Sequence, residues 1–224
     1  GIPRQTLCFM ENSSQTAYPE FLAIIRPTSQ YEYYKSGWFH VNGTTITMGQ
    51  NGNMSWYNFS NSNPVGNGGS CSVVYDSSRN YFCCAYQYGH YGAGMQLYAG
   101  FMQITSSGFS TPGYGTFQSI GYQPSYNNAF KLVYDKNLQR PLIVWSDANN
   151  SNKLRFGRMD YNWTGTYSMN YAADISGSSA TAGLVVSATY DPITTKTLVL
   201  WAMTGSPYTT KGVLITYSGN TGQT

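Results

Sequence analysis

Side chains that could take or give a proton near neutral pH are scarce in this chain of 224 residues. The carboxylates are Glu11, Glu20, Glu32, Asp76, Asp135, Asp147, Asp160, Asp174 and Asp191, and the only histidines are His40 and His90. Hydrolysis of a sugar linkage needs two carboxylates facing each other across one bond. Glu11, Asp76, Asp135 and Asp191 recur at matching places in a repeat, so they read as turn residues. Asp147 is the first candidate for a carboxylate placed in a loop. His90 stands in Tyr88-Gly89-His90-Tyr91-Gly92, a Gly-rich aromatic loop with no Ser or Cys nucleophile pattern beside it. His40 falls in a strand-like segment. No Gly-rich phosphate loop opens a helix, and the spacing of Cys8, Cys71, Cys83 and Cys84 is not that of a zinc site. The chemistry points away from an enzyme. Cys8, Cys83 and Cys84 lie in apolar segments and read as buried thiols. A bridge from Cys71 to Cys83 or Cys84 is left open by the sequence.

What the chain has in abundance is contact chemistry. It carries 21 Tyr and 24 Gly with only 9% charged residues and a formal net charge of +3. Tyr supplies large contact area at low entropic cost, as in paratopes, although Tyr also favours strands and Gly favours turns. The weak, scattered positive charge does not suggest a nucleic-acid footprint. Lys153, Arg155 and Arg158 share one segment and read as a solvated strand face. There is no run of 18 apolar residues, which argues against a membrane-spanning helix. The opening Gly1-Ile2-Pro3-Arg4 has no secretory-leader pattern. The six Asn-x-Ser/Thr sites, Asn149 among them, carry no weight in a chain this rich in Asn, Ser and Thr.

These residues are ordered by a repeat. Leu7-Cys8-Phe9-Met10-Glu11, Ser72-Val73-Val74-Tyr75-Asp76, Leu132-Val133-Tyr134-Asp135 and Ala188-Thr189-Tyr190-Asp191 are four copies of one phrase, about 56 to 65 residues apart. A polar turn follows each acid. Next comes an apolar run: Phe21–Ile25, Phe82–Tyr86, Leu142–Trp145 and Leu198–Trp201. Runs of this length between turn signals read as strands buried on both faces. A third strand is expected at Gly37–Val41, Gln96–Phe101, Leu154–Met159 and Gly212–Tyr217. A more polar fourth is expected near 45–49, 108–111 and 166–170. Polarity that rises from first strand to fourth suits a propeller blade, whose outermost strand faces water. The expected fold is therefore all-β: one domain spanning residues 1–224, a small β-propeller of four repeats with about four antiparallel strands per blade. The repeats cover about 5–60, 70–120, 129–175 and 184–224. No fourth strand is evident in the last copy; either Ile2 to Gln5 supply it, which is the favoured expectation, or another chain covers that edge.

In such a blade the loops between strands two and three share one face with the segments joining the blades. Here those loops carry Tyr31 and Tyr33, then Tyr88, His90 and Tyr91, then Asp147 and Asn149, then Tyr208. Aromatic faces can cover the apolar side of a sugar ring while amides and carboxylates take its hydroxyls. These eight residues are the expected ligand-binding set.

The repeat resembles those of viral receptor-binding propellers of bacteriophage tail fibres and capsid spikes. The residues that carry the resemblance are Tyr75-Asp76 with Cys84-Ala85-Tyr86, Tyr134-Asp135 with Val144-Trp145-Ser146-Asp147, and Tyr190-Asp191 with Leu200-Trp201. The first copy, with Met10-Glu11, departs from it. The resemblance implies a host-attachment module on the virion surface that recognises a cell-surface glycan or protein receptor. It also implies contact with other virion proteins and a homo-oligomeric state; the charge and hydropathy add the expectation of no nucleic acid and no membrane insertion. Two other readings stand beside it: a structural virion component, and a secreted lectin-like propeller. No cofactor is expected, calcium being the one ion such propellers sometimes bind; no EF-hand-like loop is present.

Overall fold

The computed structural model describes residues 5–10, 20–25, 35–48, 57–58, 71–88, 96–105, 108–110, 118–119, 130–161, 167–175, 182–203, 209–218 and 221–223. Among these residues the chain is all-β. The first sheet contains β1 (Gln5–Met10), β2 (Glu20–Ile25), β3 (Lys35–Asn42), β4 (Thr45–Met48) and β5 (Tyr57–Asn58). The second contains β6 (Cys71–Asp76), β7 (Tyr81–Tyr88), β8 (Gln96–Thr105), β9 (Gly108–Ser110) and β10 (Gln118–Ser119). The third is β11 (Phe130–Asp135), β12 (Arg140–Asp147), β13 (Lys153–Tyr161) and β14 (Tyr167–Asp174). The fourth is β15 (Ala182–Asp191), β16 (Lys196–Met203), β17 (Thr209–Ser218) and β18 (Thr221–Gln223).

Every pairing is antiparallel, and each sheet is a meander. Short hairpins make this the cheapest connection. At the β3–β4 hairpin, Gly43 takes φ 59° as the first of two loop residues, a conformation glycine adopts without a Cβ penalty. The outer edges differ. In the third sheet one strand, β14, runs along β13 and absorbs a register shift at Gly157/Arg158. In the first two sheets the edge is split: β4 and β5 pair with separate parts of β3, and β9 and β10 with separate parts of β8.

The fourth sheet corrects one expectation. Its outer strand is β18, which pairs Thr221 to Ser218 and Gln223 to Thr216. Gln5 does not fill this place, because it opens β1 and pairs with Ile25 of its own sheet, and Ile2 to Arg4 lie outside the described residues. The short polar Thr-Gly-Gln stretch gave no strand signal, since three residues are too few to show alternation.

The first strands β1, β6, β11 and β15 are neighbours in chain order, and the second, third and fourth sheets pack face to face. Cys83, Ala85, Leu97, Ala99 and Phe101 of the second sheet share a core with Phe130, Leu132, Ile143, Trp145 and Met159 of the third. Val133, Leu142, Val144, Leu154 and Phe156 on the other face of the third sheet share a second core with Val186, Val199, Trp201 and Ile215 of the fourth. This explains the continuous apolar runs. A strand with sheets on both sides must be apolar at odd and even positions alike, and β12 is buried from Pro141 through Asp147. Cys71, Cys83 and Cys84 are free thiols. Cys83 and Cys84 are fully buried, directing their Sγ atoms at Met159 Sδ (3.5 Å) and Met102 Sδ (3.7 Å).

The repeated Tyr-Asp phrase sits at the hairpin between the first two strands. Asp76, Asp135 and Asp191 each accept the backbone N–H two residues on, from Ser78 (3.0 Å), Asn137 (2.9 Å) and Ile193 (2.9 Å). Four residues after each aspartate the chain turns left-handed, at Asn80, Gln139 and Thr195 (φ 59°, 53° and 55°). The tyrosine joins neighbouring repeats. The Tyr134 hydroxyl donates to Asp76 Oδ1 of the preceding sheet at 3.0 Å. Arg79 adds a second tie by binding both Asp76 Oδ2 (2.7 Å) and the Gln139 carbonyl of the next sheet (2.9 Å).

Candidate functional site

Of the loops between second and third strands, the described one is that of the third sheet, where β12 ends at Asp147 and β13 begins at Lys153. Asp147 caps a single 3-10 turn, Ala148–Asn150, and its carboxylate accepts the Asn149 N–H at 2.9 Å. Ser151 and Asn152 are both left-handed, at φ 53° and 57°. That geometry returns the chain so that the Asn152 N–H reaches the Asp147 carbonyl at 2.9 Å. Ser146 Oγ donates to the Asn152 carbonyl at 3.2 Å. The loop is thus closed by its own backbone and by the side chains at its base.

Arg155 organises the charges around it. Its Nη1 donates to Asp147 Oδ2 at 2.9 Å, and its Nε lies 3.2 Å from Asp174 Oδ1. The guanidinium carbon stands 5.9 Å from the centre of the Trp145 ring, a cation–π distance. Asn150 Nδ2 donates to both Asp174 oxygens (2.9 and 3.1 Å), and Lys153 Nζ lies 3.7 Å from Asp174 Oδ2. The register explains the gathering, since Asp147 is opposite Lys153, and Arg155 is opposite both Trp145 and Asp174.

The group has an inside and an outside. Asp147 is buried and committed to Arg155 and the turn. Asn149 and Ser151 are exposed, and the side chains of Lys153 and Asp174 are 44% and 42% exposed. The outward edge therefore offers amide, hydroxyl, ammonium and carboxylate groups side by side on a fixed loop. Such a set can hydrogen-bond a polyhydroxylated ligand in several directions. Both carboxylates here share one guanidinium, so each is held as an acceptor.

Of the expected binding residues, Asp147 and Asn149 belong to this loop, Asp147 at its base and Asn149 at its surface. Tyr88 closes β7, with its backbone opposite Gln96; its side chain is outside the described set. Tyr31, Tyr33, His90, Tyr91 and Tyr208 lie outside the described residues, as does Glu11. The reading of Lys153, Arg155 and Arg158 as a solvated strand face is corrected. Arg155 and Arg158 are only 21% and 16% exposed in their side chains, and Arg158 is paired with Asp160 at 2.6 Å. Asp174 was not among the expected binders. The available signal was the alternation of Lys153 with Arg155 on one strand face, which calls for acids on the strands at either side.

Among the described residues no three His, Cys, Asp or Glu side chains come together in a way that could hold a metal ion. Neither a protein-family model nor a curated protein matches the chain.

Proposed function

We propose that this chain is a receptor-binding module of a virion, built of four β-propeller blades, and that the face bearing the loops between second and third strands recognises a cell-surface glycan. The observation that carries the reading is the Asp147–Asn152 loop. Its base is locked by Asp147, Arg155 and Ser146, while Asn149, Ser151, Lys153 and Asp174 meet solvent. Rigid scaffolds that present polar loops are how binding proteins place recognition groups. The resemblance of the Tyr-Asp repeat to phage fibre and spike propellers supports the viral setting. The aromatic residues of the companion loops, Tyr31, Tyr33, Tyr88, Tyr91 and Tyr208, would stack on sugar rings. A structural virion role has one observation in its favour, the uncovered apolar face of the fourth sheet (Leu200 40% and Leu214 48% exposed).

The test is binding of the purified chain to an array of glycans that includes bacterial surface polysaccharides. The expected result is selective binding that falls at least about tenfold, or roughly 1.4 kcal/mol, in Asn149→Ala combined with Asp174→Ala. Tyr88→Ala should weaken it as well. A folded chain that binds no glycan would sink the glycan reading and leave a protein receptor or a structural role.

A further inference from the structure

We propose that the outward face of the fourth sheet docks against the first sheet of a second copy of this chain. The third sheet has one face toward the second sheet and the other toward the fourth. In the third sheet the row Leu132, Ile143 faces back to the second sheet, and Val133, Leu142 with Val144, Phe156 face forward to the fourth. In the second sheet Cys83, Phe101 and Ala85, Ala99 face forward to the third. These forward rows are closed, with Leu142, Val144, Cys83 and Ala85 each no more than 1% exposed.

The same rows in the fourth sheet are Thr189, Leu198, Leu214 and Ser187, Leu200, Gly212, by the register of β15, β16 and β17. Here they are open. Leu200 and Leu214 are 40% and 48% exposed, Ser187 and Thr189 are exposed, and Leu198 is only half-buried. Leu200 lies flat over Gly212, its Cδ2 2.6 Å from where a Cβ would stand. The result is a low apolar surface with small neighbours, the profile that accepts another sheet. The first sheet of the same chain leaves these leucines exposed, so the cover comes from elsewhere.

The repeat identifies the cover. What closes a forward row in this molecule is the backward row of the next sheet, such as Leu132, Ile143 and Gly157, or Ala188, Val199 and Val213. The first sheet has the same ladder position, and among the described residues its strands adjoin the second sheet. Its ladder aligns Cys8, Leu22 and Trp38. A second copy therefore supplies the missing surface and continues the interface already repeated within the chain. The contact is heterologous, and when made reciprocally by two copies it closes on itself.

The test is the mass in solution of the full chain at tens of micromolar, by light scattering after size exclusion. A mass of at least twice 24.8 kDa is expected. It should fall to one copy in Leu200→Lys combined with Leu214→Lys, and in Thr189→Arg, with far-ultraviolet circular dichroism unchanged. Ile193→Lys, on the fully exposed turn beside this face, should leave the mass alone. A photo-reactive phenylalanine at position 189 should crosslink to a peptide from residues 5–48 of another molecule. A monomeric wild-type chain overturns the proposal. So does dissociation by Ile193→Lys equal to that of the face variants, or a crosslink that joins one fourth sheet to another.

Discussion

Val144 and Leu200 each stand nine residues after the aspartate of their own turn, and each sits on the middle of a second strand. Val144 is closed in the core between the third and fourth sheets, whereas Leu200 is 40% exposed. The turns show the same divide. Asp76 is fully buried and takes hydrogen bonds from Ser78, Arg79 and, across the sheet boundary, Tyr134. Asp191 makes its local bonds to Ile193 and Thr194 at the surface. One repeat thus behaves as core or as surface according to whether another sheet lies beyond it. The energetic weight of a residue here is set by its neighbour sheet more than by its own type.

This comparison is broken most directly in the third sheet. Phe156→Ala should cost about 3–5 kcal/mol and Val144→Ala about 2 kcal/mol, read from urea unfolding. Leu200→Ala, measured where the chain is monomeric, should stay within about 0.5 kcal/mol. If Leu200→Ala costs as much as Val144→Ala in the monomer, the divide between the sheets is wrong.

The turn aspartates come next. Asp76→Ala strips the Arg79 ion pair and the Tyr134 bond from a buried site and should cost about 2–3 kcal/mol. Tyr134→Phe removes one of these bonds and should cost about 1 kcal/mol. A double-mutant cycle should place most of the Tyr134 effect on Asp76. Asp191→Ala should be the mildest change of the three in unfolding midpoint.

A smaller effect runs the other way. Thr195 holds φ 55°, where a β-branched residue is strained. Asn tolerates that region, so Thr195→Asn should raise stability by up to about 1 kcal/mol. Asn80 already fills the matching position and accepts the Tyr75 hydroxyl at 2.7 Å.

The smallest contrast is in pH. Burial raises the pKa of Asp135, against the lowering effect of the Leu138 and Asn137 N–H groups. Its folded form therefore holds the proton more tightly than the unfolded chain, and its ionisation works against folding as pH rises through the carboxylate range. The Thr194 hydroxyl and the Ile193 N–H lower the pKa of Asp191. Its contribution is present above the unfolded carboxylate pKa and is lost as pH falls through its lowered folded value. Unfolding midpoints from about pH 3 to about pH 7 should show Asp135→Asn gaining on wild type as pH rises, and Asp191→Asn losing to it. Parallel curves would remove the contrast.

The strands were legible in the sequence because packing on both faces leaves an unmistakable trace. Phe82–Tyr86, Leu142–Trp145 and Leu198–Trp201 all lie in second strands. The polar segments near 45, 108 and 167 all form outer strands. What the sequence hid depends on neighbours. Leu198-Val199-Leu200-Trp201 is as apolar as its counterpart in the third sheet, so nothing in it tells that one face is open. Strands as brief as β5, β10 and β18 carry too few residues for a period. The Arg155 cluster is drawn from three strands, and only their register brings Asp147 and Asp174 to one guanidinium.

The bond from Tyr134 to Asp76 has a consequence for how such a chain can grow. Tyr134 reaches back to the second sheet, while Asp135 beside it holds its own turn through the Asn137 and Leu138 N–H groups. Tyr75, at the same repeat position, donates to Asn80 of its own turn, so the side-chain tie marks one joint whereas the aspartate turn recurs in the second, third and fourth copies. Gene duplication could carry the turn unchanged from unit to unit and leave the tie between units to be refined afterwards.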